Sequence, residues 1–254
     1  MSHLPGKFVW FEHLSADPAA ASRFYAQLFS WHTERLPMGD VVYPMIMNGD
    51  EAIGGYGNAA AGQGCWRSYL SVPDVDERCA AAEAAGATVL MPPTHYGDVG
   101  RAALIQDPGG ASVALWKGSG DDIADPADPA TAPFGGFCWN ELYVDDPVAA
   151  VAFYEKLAGY THDEMDMGPM GTYYIVKAGG VGRGGVMRQT PGQSPRWVPY
   201  VWVADADAIA QQASTLGATV CVPPTDIPTI GRFTMMVDPA GAMVAALGPL
   251  PAAA

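Results

Sequence analysis

The sequence predicts an α+β protein that contains two tandem copies of one domain. The stretch FEHLSADPAAASRFYAQLFSW (residues 11–31) returns as NELYVDDPVAAVAFYEKLAGY (140–160). Two later stretches, 86–101 and 103–115, return in the same order as 217–232 and 234–246. Such a long period indicates a duplicated domain rather than a solenoid of short repeats. Each candidate residue can therefore be compared with a twin in the other copy.

Length and composition agree with two globular domains. The chain has 254 residues, of which 49% are hydrophobic and 16% charged, a balance typical of folded proteins. The net charge of −14 argues against nucleic acid or an anionic membrane as a partner. No apolar run approaches the roughly 18 residues of a membrane span, and the N-terminus lacks a signal-peptide core. We therefore expect a cytoplasmic monomer or homodimer whose partner is a small molecule.

The first half of each copy begins with a strand and a helix. Lys7–Leu14 shows the period-two alternation of a strand. Asp17-Pro18 and its twin Asp146-Pro147 predict helix starts, because Asp accepts hydrogen bonds from free backbone N–H groups and Pro fits the first turn. Apolar residues then follow at helical spacing: Phe24, Tyr25, Leu28 and Phe29. Two extended segments come next, near Val42–Asn48 and around Gly54-Gly55.

The second half of each copy repeats that order. Trp66–Val72 predicts a strand, Asp76–Ala85 an Ala-rich helix that ends before Gly86, and residues 101–106 and 112–116 a hairpin. Each copy is therefore two βαβββ modules, at 1–117 and 137–254, joined by a Pro-, Gly- and Asp-rich linker at 118–136. The GxGxxG match at 180–185 is not followed by a helical pattern, so we interpret it as a hairpin rather than a dinucleotide site. The four cysteines have no CxxC spacing, and we expect buried, reduced thiols.

Two motifs of these modules resemble a known superfamily. Asp-x-x-x-Ala-x-x-Phe-Tyr opens the first helix, and Asp-Pro-x-Gly-Ala precedes the last strand, in both copies. The pattern, across 7–117 and 137–248, resembles the vicinal oxygen chelate superfamily, which includes glyoxalase I, bleomycin-resistance proteins and extradiol dioxygenases. The Trp-x-Glu-Leu start and the stretch at 223–232 resemble a two-domain bacterial subgroup described as glyoxalase-like or hydroxylase. The resemblance implies that paired modules form a cup-shaped curled sheet.

The metal ligands that this resemblance implies are missing. The superfamily's His or Gln positions on the first strands and its Glu position on the last strand carry residues that cannot coordinate a metal: Trp10, Trp139, Arg67, Val198, Ala114 and Ala245. No Glu occurs near the remaining ligand position at Gly54-Gly55 or Gly184-Gly185. We therefore expect no bound metal and no cofactor.

A carboxylate recurs instead. Glu12 and Glu141 each lie two residues after a tryptophan, so they share its inward strand face, whereas His13 points to the opposite face and is expected to be a packing residue. A carboxylate in an aromatic cup is suited to general acid–base catalysis. The alternative is that each Glu only pairs with an arginine, Arg101 or Arg67 in the first copy and Arg232 in the second.

Two main hypotheses follow. The first is a metal-independent, glyoxalase-like enzyme of the lyase, isomerase or hydroxylase type, with Glu12 and Glu141 as acid/base on a small aromatic or carbonyl-bearing molecule. The second is a non-catalytic protein that sequesters its ligand, as bleomycin-resistance proteins do; a divalent-metal glyoxalase or dioxygenase ranks third. The expected ligand-binding residues are Trp10, Arg67, Tyr69, Arg101, Ser112, Trp116, Trp139, Tyr200 and Arg232. The sequence leaves open the ligand's identity and whether cups form within a copy, between copies or across a dimer.

Overall fold

The computed structural model describes residues 2–39, 41–126 and 131–251. This part of the chain contains four α-helices: α1 (Pro18–Phe29), α2 (Val75–Ala84), α3 (Pro147–Ala158) and α4 (Ala206–Thr215). It also contains sixteen strands: β1 (Phe8–Ser15), β2 (His32–Met38), β3 (Val41–Asn48), β4 (Glu51–Asn58), β5 (Cys65–Ser71), β6 (Thr88–Tyr96), β7 (Gly100–Gln106), β8 (Ser112–Gly118), β9 (Phe137–Val144), β10 (Thr161–Asp166), β11 (Thr172–Ala178), β12 (Val181–Arg188), β13 (Arg196–Trp202), β14 (Thr219–Ile227), β15 (Gly231–Val237) and β16 (Met243–Gly248). None of the described helices is both long enough and apolar enough to cross a membrane.

The strands form two eight-stranded sheets with the same order. The first sheet is β2-β3-β4-β1-β5-β8-β7-β6, and the second is β10-β11-β12-β9-β13-β16-β15-β14. Each sheet comes from one sequence copy and contains two βαβββ modules. The predicted α+β class with duplicated domains is confirmed, and the first sheet is curled as a half-barrel. Residues 180–185 lie in the β11–β12 hairpin, as expected.

The helix starts follow the predicted capping chemistry. Asp17 accepts a hydrogen bond from the backbone N–H of Ala20, and Asp146 accepts one from Ala149. Both helices end at a residue with left-handed φ, Ser30 in α1 and glycine in α3. The aspartate caps and the helix-opening prolines therefore fix the start of α1 and α3 from local sequence alone.

The hydrophobic pattern did not predict the separate positions of strand β2 or of the twin strands β6 and β14. Strand β2 is mostly exposed, so it has no buried face to produce an apolar period. Strand β6 carries Pro92 and Pro93 at the outer edge of its sheet, where a missing backbone N–H is tolerated. Its twin β14 has Pro223 and Pro224 at the same place.

The chain packs as two compact units, and each unit draws on both sequence copies. Unit one comprises the chain up to Trp10, Arg67–Ala124 and Trp139–Trp197; unit two comprises Phe11–Trp66, Asp125–Cys138 and the chain from Val198. The second module of the first copy thus packs with the first module of the second copy. The boundaries at 117 and 137 stay a prediction about the copies. Within the predicted ranges, residues 1, 40, 127–130 and 252–254 lie outside the described residues.

A buried carboxylate organises the core of unit two. Asp238 Oδ2 accepts a hydrogen bond from the Tyr25 hydroxyl at 2.8 Å and lies 2.7 Å from His13 Nε2. The Trp66 indole N–H donates to the same tyrosine oxygen at 3.1 Å. The backbone N–H of Ala242 donates to Asp238 Oδ1 at 2.8 Å. Both His13 and Asp238 are buried, so the predicted packing histidine is one member of a polar network.

Unit one repeats this network without the histidine. Tyr154 donates to Asp107 Oδ2 at 2.9 Å, and the Trp197 indole donates to Tyr154 at 2.9 Å. Leu142 stands at the position of His13. Burial raises the pKa of Asp107, and its hydrogen-bond donors only partly oppose that effect. Burial also acts on Asp238, but hydrogen bonds that include one from His13 outweigh it and hold the pKa below the usual Asp value.

The cysteines are free thiols, but the expectation that they are buried is wrong for three of them. Cys79 is buried on the inner face of α2, whereas Cys65, Cys138 and Cys221 are exposed. Each exposed cysteine lies on a strand, and the apolar surroundings in sequence gave no information about which face it occupies.

We predict that His13→Leu, which copies the twin position, lowers the free energy of unfolding by about 2 kcal/mol at neutral pH. The folded-state pKa of Asp238 lies below its unfolded value, so this pairing stabilises the fold above the ordinary Asp range and is lost as the pH falls through the folded-state pKa. The difference between wild type and variant should therefore shrink as the pH falls below about 4. Urea unfolding across pH measures it. His32→Leu, at an exposed histidine, is the control; a cost for His13→Leu that does not depend on pH would contradict the assignment.

Candidate active site

In unit two, a tyrosine holds the first candidate carboxylate. Glu12 lies on β1 and is 8% exposed. The hydroxyl of Tyr43, on β3, donates to Glu12 Oε1 at 3.1 Å. Strand β4 lies between these two strands, and its Gly55 pairs with Glu12. The phenol therefore crosses β4 above Gly55, where a Cβ atom would lie 2.1 Å from the hydroxyl oxygen.

Unit one contains the same arrangement at the twin positions. Glu141 is 6% exposed, and Tyr173 on β11 donates to its Oε2 at 3.1 Å. Gly185 pairs with Glu141, and a Cβ on that glycine would lie 1.9 Å from the tyrosine oxygen. The indole N–H of Trp139 donates to the same oxygen at 2.9 Å. Burial, followed by the charge of Glu141, raises the pKa of Tyr173 well above its usual value, so the phenol keeps its proton.

Sequence reasoning found the glutamates and missed the tyrosines. VVYPMIMNGD (41–50) and TYYIVKAGG (172–180) share little beyond one tyrosine in register, Tyr43 with Tyr173. The neighbouring glycine pairs were interpreted only as positions without a metal ligand. An alignment of these two segments by way of the glycine pairs, 54–55 with 184–185, would have brought the tyrosines into register.

The prediction that Arg101 faces the cup is wrong. On β7 and β8, Arg101 pairs with Lys117, whereas Ala102 pairs with Trp116 on the other face. Arg101 makes two hydrogen bonds to Asp76 of α2, at 2.6 and 2.7 Å. The hydrogen bonds from this guanidinium lower the pKa of Asp76. Strand alternation therefore places Arg101 on the face that α2 covers.

The prediction that Arg232 faces the cup is wrong for the same reason. Its side chain donates to Asp207 at the start of α4, at 2.7 and 3.1 Å, and to Asp226 at 2.6 Å. Phe233 and Leu247, paired across β15 and β16, occupy the other face. Both arginines are thus ion-pair partners of helix-opening aspartates.

The aromatic candidates of the first copy lie together in unit one. Tyr69 pairs with Ala114 across β5 and β8, so Tyr69 and Trp116 share a sheet face. Their ring centroids are 6.1 Å apart. The ring centroid of Tyr96 lies 6.5 Å from that of Trp116. Ser112 is exposed at the start of β8. The half-buried rings form an aromatic surface that a flat ligand can contact.

Three other predicted ligand residues are placed differently. Tyr200, the twin of Tyr69, is only 4% exposed. Its ring centroid lies 6.3 Å from that of Phe233. Its position fits the alternative of a wall residue. Trp10 and Arg67 are both partly exposed, on β1 and β5. Trp139 contacts Tyr173 and so belongs to the tyrosine–glutamate pair.

A divalent metal does not fit the residues at the superfamily's ligand positions. Tryptophan, valine and alanine side chains offer no lone pair for coordination, and a guanidinium repels a cation. Within residues 2–39, 41–126 and 131–251, no three His, Cys, Asp or Glu side chains cluster closely enough to hold a metal ion. The recurring polar feature is the hydrogen-bonded pair of Glu and Tyr.

Comparison with known proteins agrees with this architecture. Residues 9–116 match the model of the glyoxalase-like domain. The chain is 36% identical over 250 residues to the putative glyoxylase CFP32 of Mycobacterium tuberculosis (strain CDC 1551 / Oshkosh), covering 95% of this chain and 94% of that protein. It is 29% identical over 259 residues to the anthracycline biosynthesis protein DnrV of Streptomyces peucetius, covering 94% and 91%.

A solved structure shares the fold at low sequence identity. The Mn(II)-bound glyoxalase from Novosphingobium aromaticivorans superposes with a TM-score of 0.66 at 15% identity, covering 97% of this chain and 83% of that one. At this identity the likeness concerns the fold alone. The sequence relationship to the putative glyoxylase extends over nearly the whole chain. The protein therefore belongs to the glyoxalase-like family of the vicinal oxygen chelate superfamily.

Proposed function

We propose that the protein is a metal-independent enzyme that transfers protons on a small aromatic or carbonyl-bearing molecule. Glu12 and Glu141 are the acid/base groups. The observation that carries this proposal is the duplicated pair: each carboxylate is more than nine-tenths buried and accepts a hydrogen bond from a tyrosine at 3.1 Å. A buried carboxylate that keeps a defined orientation is what general acid–base catalysis requires.

The proposed step is enolisation. The Glu carboxylate removes a proton from the carbon next to a carbonyl; the C–H bond breaks, and its electron pair forms the C=C bond of the enolate while the carbonyl oxygen takes the negative charge. The resulting carboxylic acid then returns the proton to carbon, at the same or a neighbouring position. Return to the same carbon gives exchange with solvent when the carboxylic acid has first exchanged its proton with water, and return to a neighbouring carbon gives isomerisation. No oxidant or metal is needed to balance either outcome.

The ligand class is supported by the side chains and by the relatives. In unit one, the half-buried rings of Tyr69, Tyr96 and Trp116 provide apolar, π-rich contacts for a flat molecule. The names of two relatives, a putative glyoxylase and an anthracycline biosynthesis protein, refer to dicarbonyl and to polycyclic aromatic chemistry. A molecule that joins an aromatic ring to a carbonyl group satisfies both.

We predict that the protein accelerates deuterium exchange at the methyl group of 1-phenyl-1,2-propanedione in D2O, followed by proton NMR. Glu12→Gln and Glu141→Gln together should reduce the enzymatic rate by about 100-fold or more. The dissociation constant should change less than twofold, because the amide keeps the size of the side chain. Comparison of the two single variants measures how much each copy contributes.

Glu51→Gln, at an exposed position of β4, is the matched control and should retain the wild-type rate. Binding without exchange in the wild type would favour the alternative function, sequestration of the ligand. Full exchange activity in the Glu12→Gln/Glu141→Gln variant would contradict the acid/base assignment.

We also predict that exchange is independent of metal. The expected reason is the donor set, since tryptophan, arginine, valine and alanine occupy the superfamily's ligand positions. Elemental analysis of the purified protein should give well below one transition metal per domain, and EDTA should leave the exchange rate unchanged. About one zinc, nickel, iron or manganese per domain, removed by chelation together with the activity, would restore the metalloenzyme hypothesis.

A further inference from the structure

We propose that Tyr43 and Tyr173 are positioning residues that hold the Glu12 and Glu141 carboxylates in one orientation. We further propose that Gly55 and Gly185 are glycines because a side chain there would displace the tyrosine. The catalytic meaning of this inference rests on the proposed function. The structural part stands on geometry that occurs independently in the two copies.

The strand register places each tyrosine near its glutamate. Glu12 pairs with Gly55 across β1 and β4, and Gly55 pairs with Met45 across β4 and β3. Tyr43 lies two residues from Met45, hence on the same face of β3. The phenol must therefore reach diagonally across β4 to meet the carboxylate. In the other copy the corresponding pairs are Glu141 with Gly185 and Gly185 with Ile175.

Each of the two glycines lies directly beneath a phenol. Neither Gly55 nor Gly185 has a φ in the left-handed region, so the backbone there would accept an L side chain. A Cβ atom would, however, lie 2.1 Å from the Tyr43 oxygen and 1.9 Å from the Tyr173 oxygen. Real Cβ contacts are never this short. The phenol end of the tyrosine, its hydroxyl and the adjoining ring carbons, and not the backbone conformation, is therefore what a side chain at these two positions would displace.

In unit one, a tryptophan fixes the direction of the hydrogen bond. An indole N–H can only donate, so the Tyr173 oxygen accepts from Trp139 at 2.9 Å. The phenol hydrogen is then directed to Glu141, at 3.1 Å. The pKa of Tyr173, raised by burial and by the Glu141 charge, keeps the proton on the tyrosine. This tyrosine is thus a fixed donor to the carboxylate, and its role is to orient that group.

The first test needs no ligand. The chain has eight glutamates, so protein labelled with 13C at the Glu carboxyl carbon gives a simple spectrum, in which Glu→Gln variants assign the resonances of Glu12 and Glu141. Tyr43→Phe should move the Glu12 resonance, and Tyr173→Phe the Glu141 resonance. Tyr174→Phe should move neither, because Tyr174 neighbours Tyr173 but faces His162. Resonances that stay in place in both Tyr→Phe variants would overturn the proposal.

The second test measures chemistry with 1-phenyl-1,2-propanedione. The Tyr43→Phe/Tyr173→Phe protein should lose about tenfold or more of the exchange rate at saturating probe, with a dissociation constant within twofold of wild type. Gly55→Ala/Gly185→Ala should cause a similar loss by displacing the phenol. Combining the four substitutions should cost no more in rate than either pair, because both remove the same hydrogen bond.

The outcomes separate the two proposals. If the resonances move but the Tyr→Phe rate equals that of wild type, the hydrogen bond exists and the positioning role is refuted. If the Glu→Gln variants also keep the wild-type rate, or if the wild type does not accelerate exchange, the proposed function fails while the carboxyl spectrum still decides whether the tyrosines hold the glutamates. Thermal melting of each variant, compared with Tyr174→Phe, distinguishes a loss of rate from a loss of fold.

Discussion

The hydrogen bond from a helix tyrosine to the aspartate of the Asp-Pro-x-Gly turn is the interaction on which each compact unit depends. Tyr25 of the first copy reaches Asp238 of the second, and Tyr154 of the second reaches Asp107 of the first. The backbone N–H groups of Ala242 and Ala111 satisfy Oδ1 of the two aspartates, whereas Oδ2 accepts the hydrogen bond from the tyrosine, whose loss would cost about 1–3 kcal/mol. Each copy therefore supplies a donor to a buried carboxylate of the other.

The same interaction connects the core to the candidate site through one strand. On β1, His13 faces Asp238 while its neighbour Glu12 faces Tyr43, because successive strand residues point to opposite faces. The hydrogen bond between His13 and Asp238 on one face thus fixes the strand that carries the Glu12 carboxylate on the other face. In the second copy Leu142 replaces the histidine, whereas the hydrogen bond from tyrosine to glutamate is unchanged. The core polar group differs between the copies, and the candidate catalytic pair does not.

The sequence predicted what depends on local pattern and repetition. Helix starts at Asp17 and Asp146, the alternation of β1 and the duplicated modules all followed from neighbours along the chain. Exposed edge strands such as β2 lacked a buried face to produce a pattern. Arg101 and Arg232 were assigned to the wrong face because strand phase near a Gly-Arg turn cannot be read without the partner strand. The hydrogen bonds between tyrosine and glutamate were not predicted because each joins two strands that another strand separates, β1 with β3 in one copy and β9 with β11 in the other.

The glycine pairs connect these observations to the absence of metal ligands at the superfamily positions. A glycine on β4 or β12 contributes no side chain, so this position on the ligand strand that the superfamily resemblance implies offers no donor. The space above Gly185 is filled by a phenol that burial and Glu141 keep neutral. A neutral phenol whose hydrogen is directed to the carboxylate orients that group. The residues at this place thus hold a carboxylate with a neutral donor, and they do so at the same position in both copies.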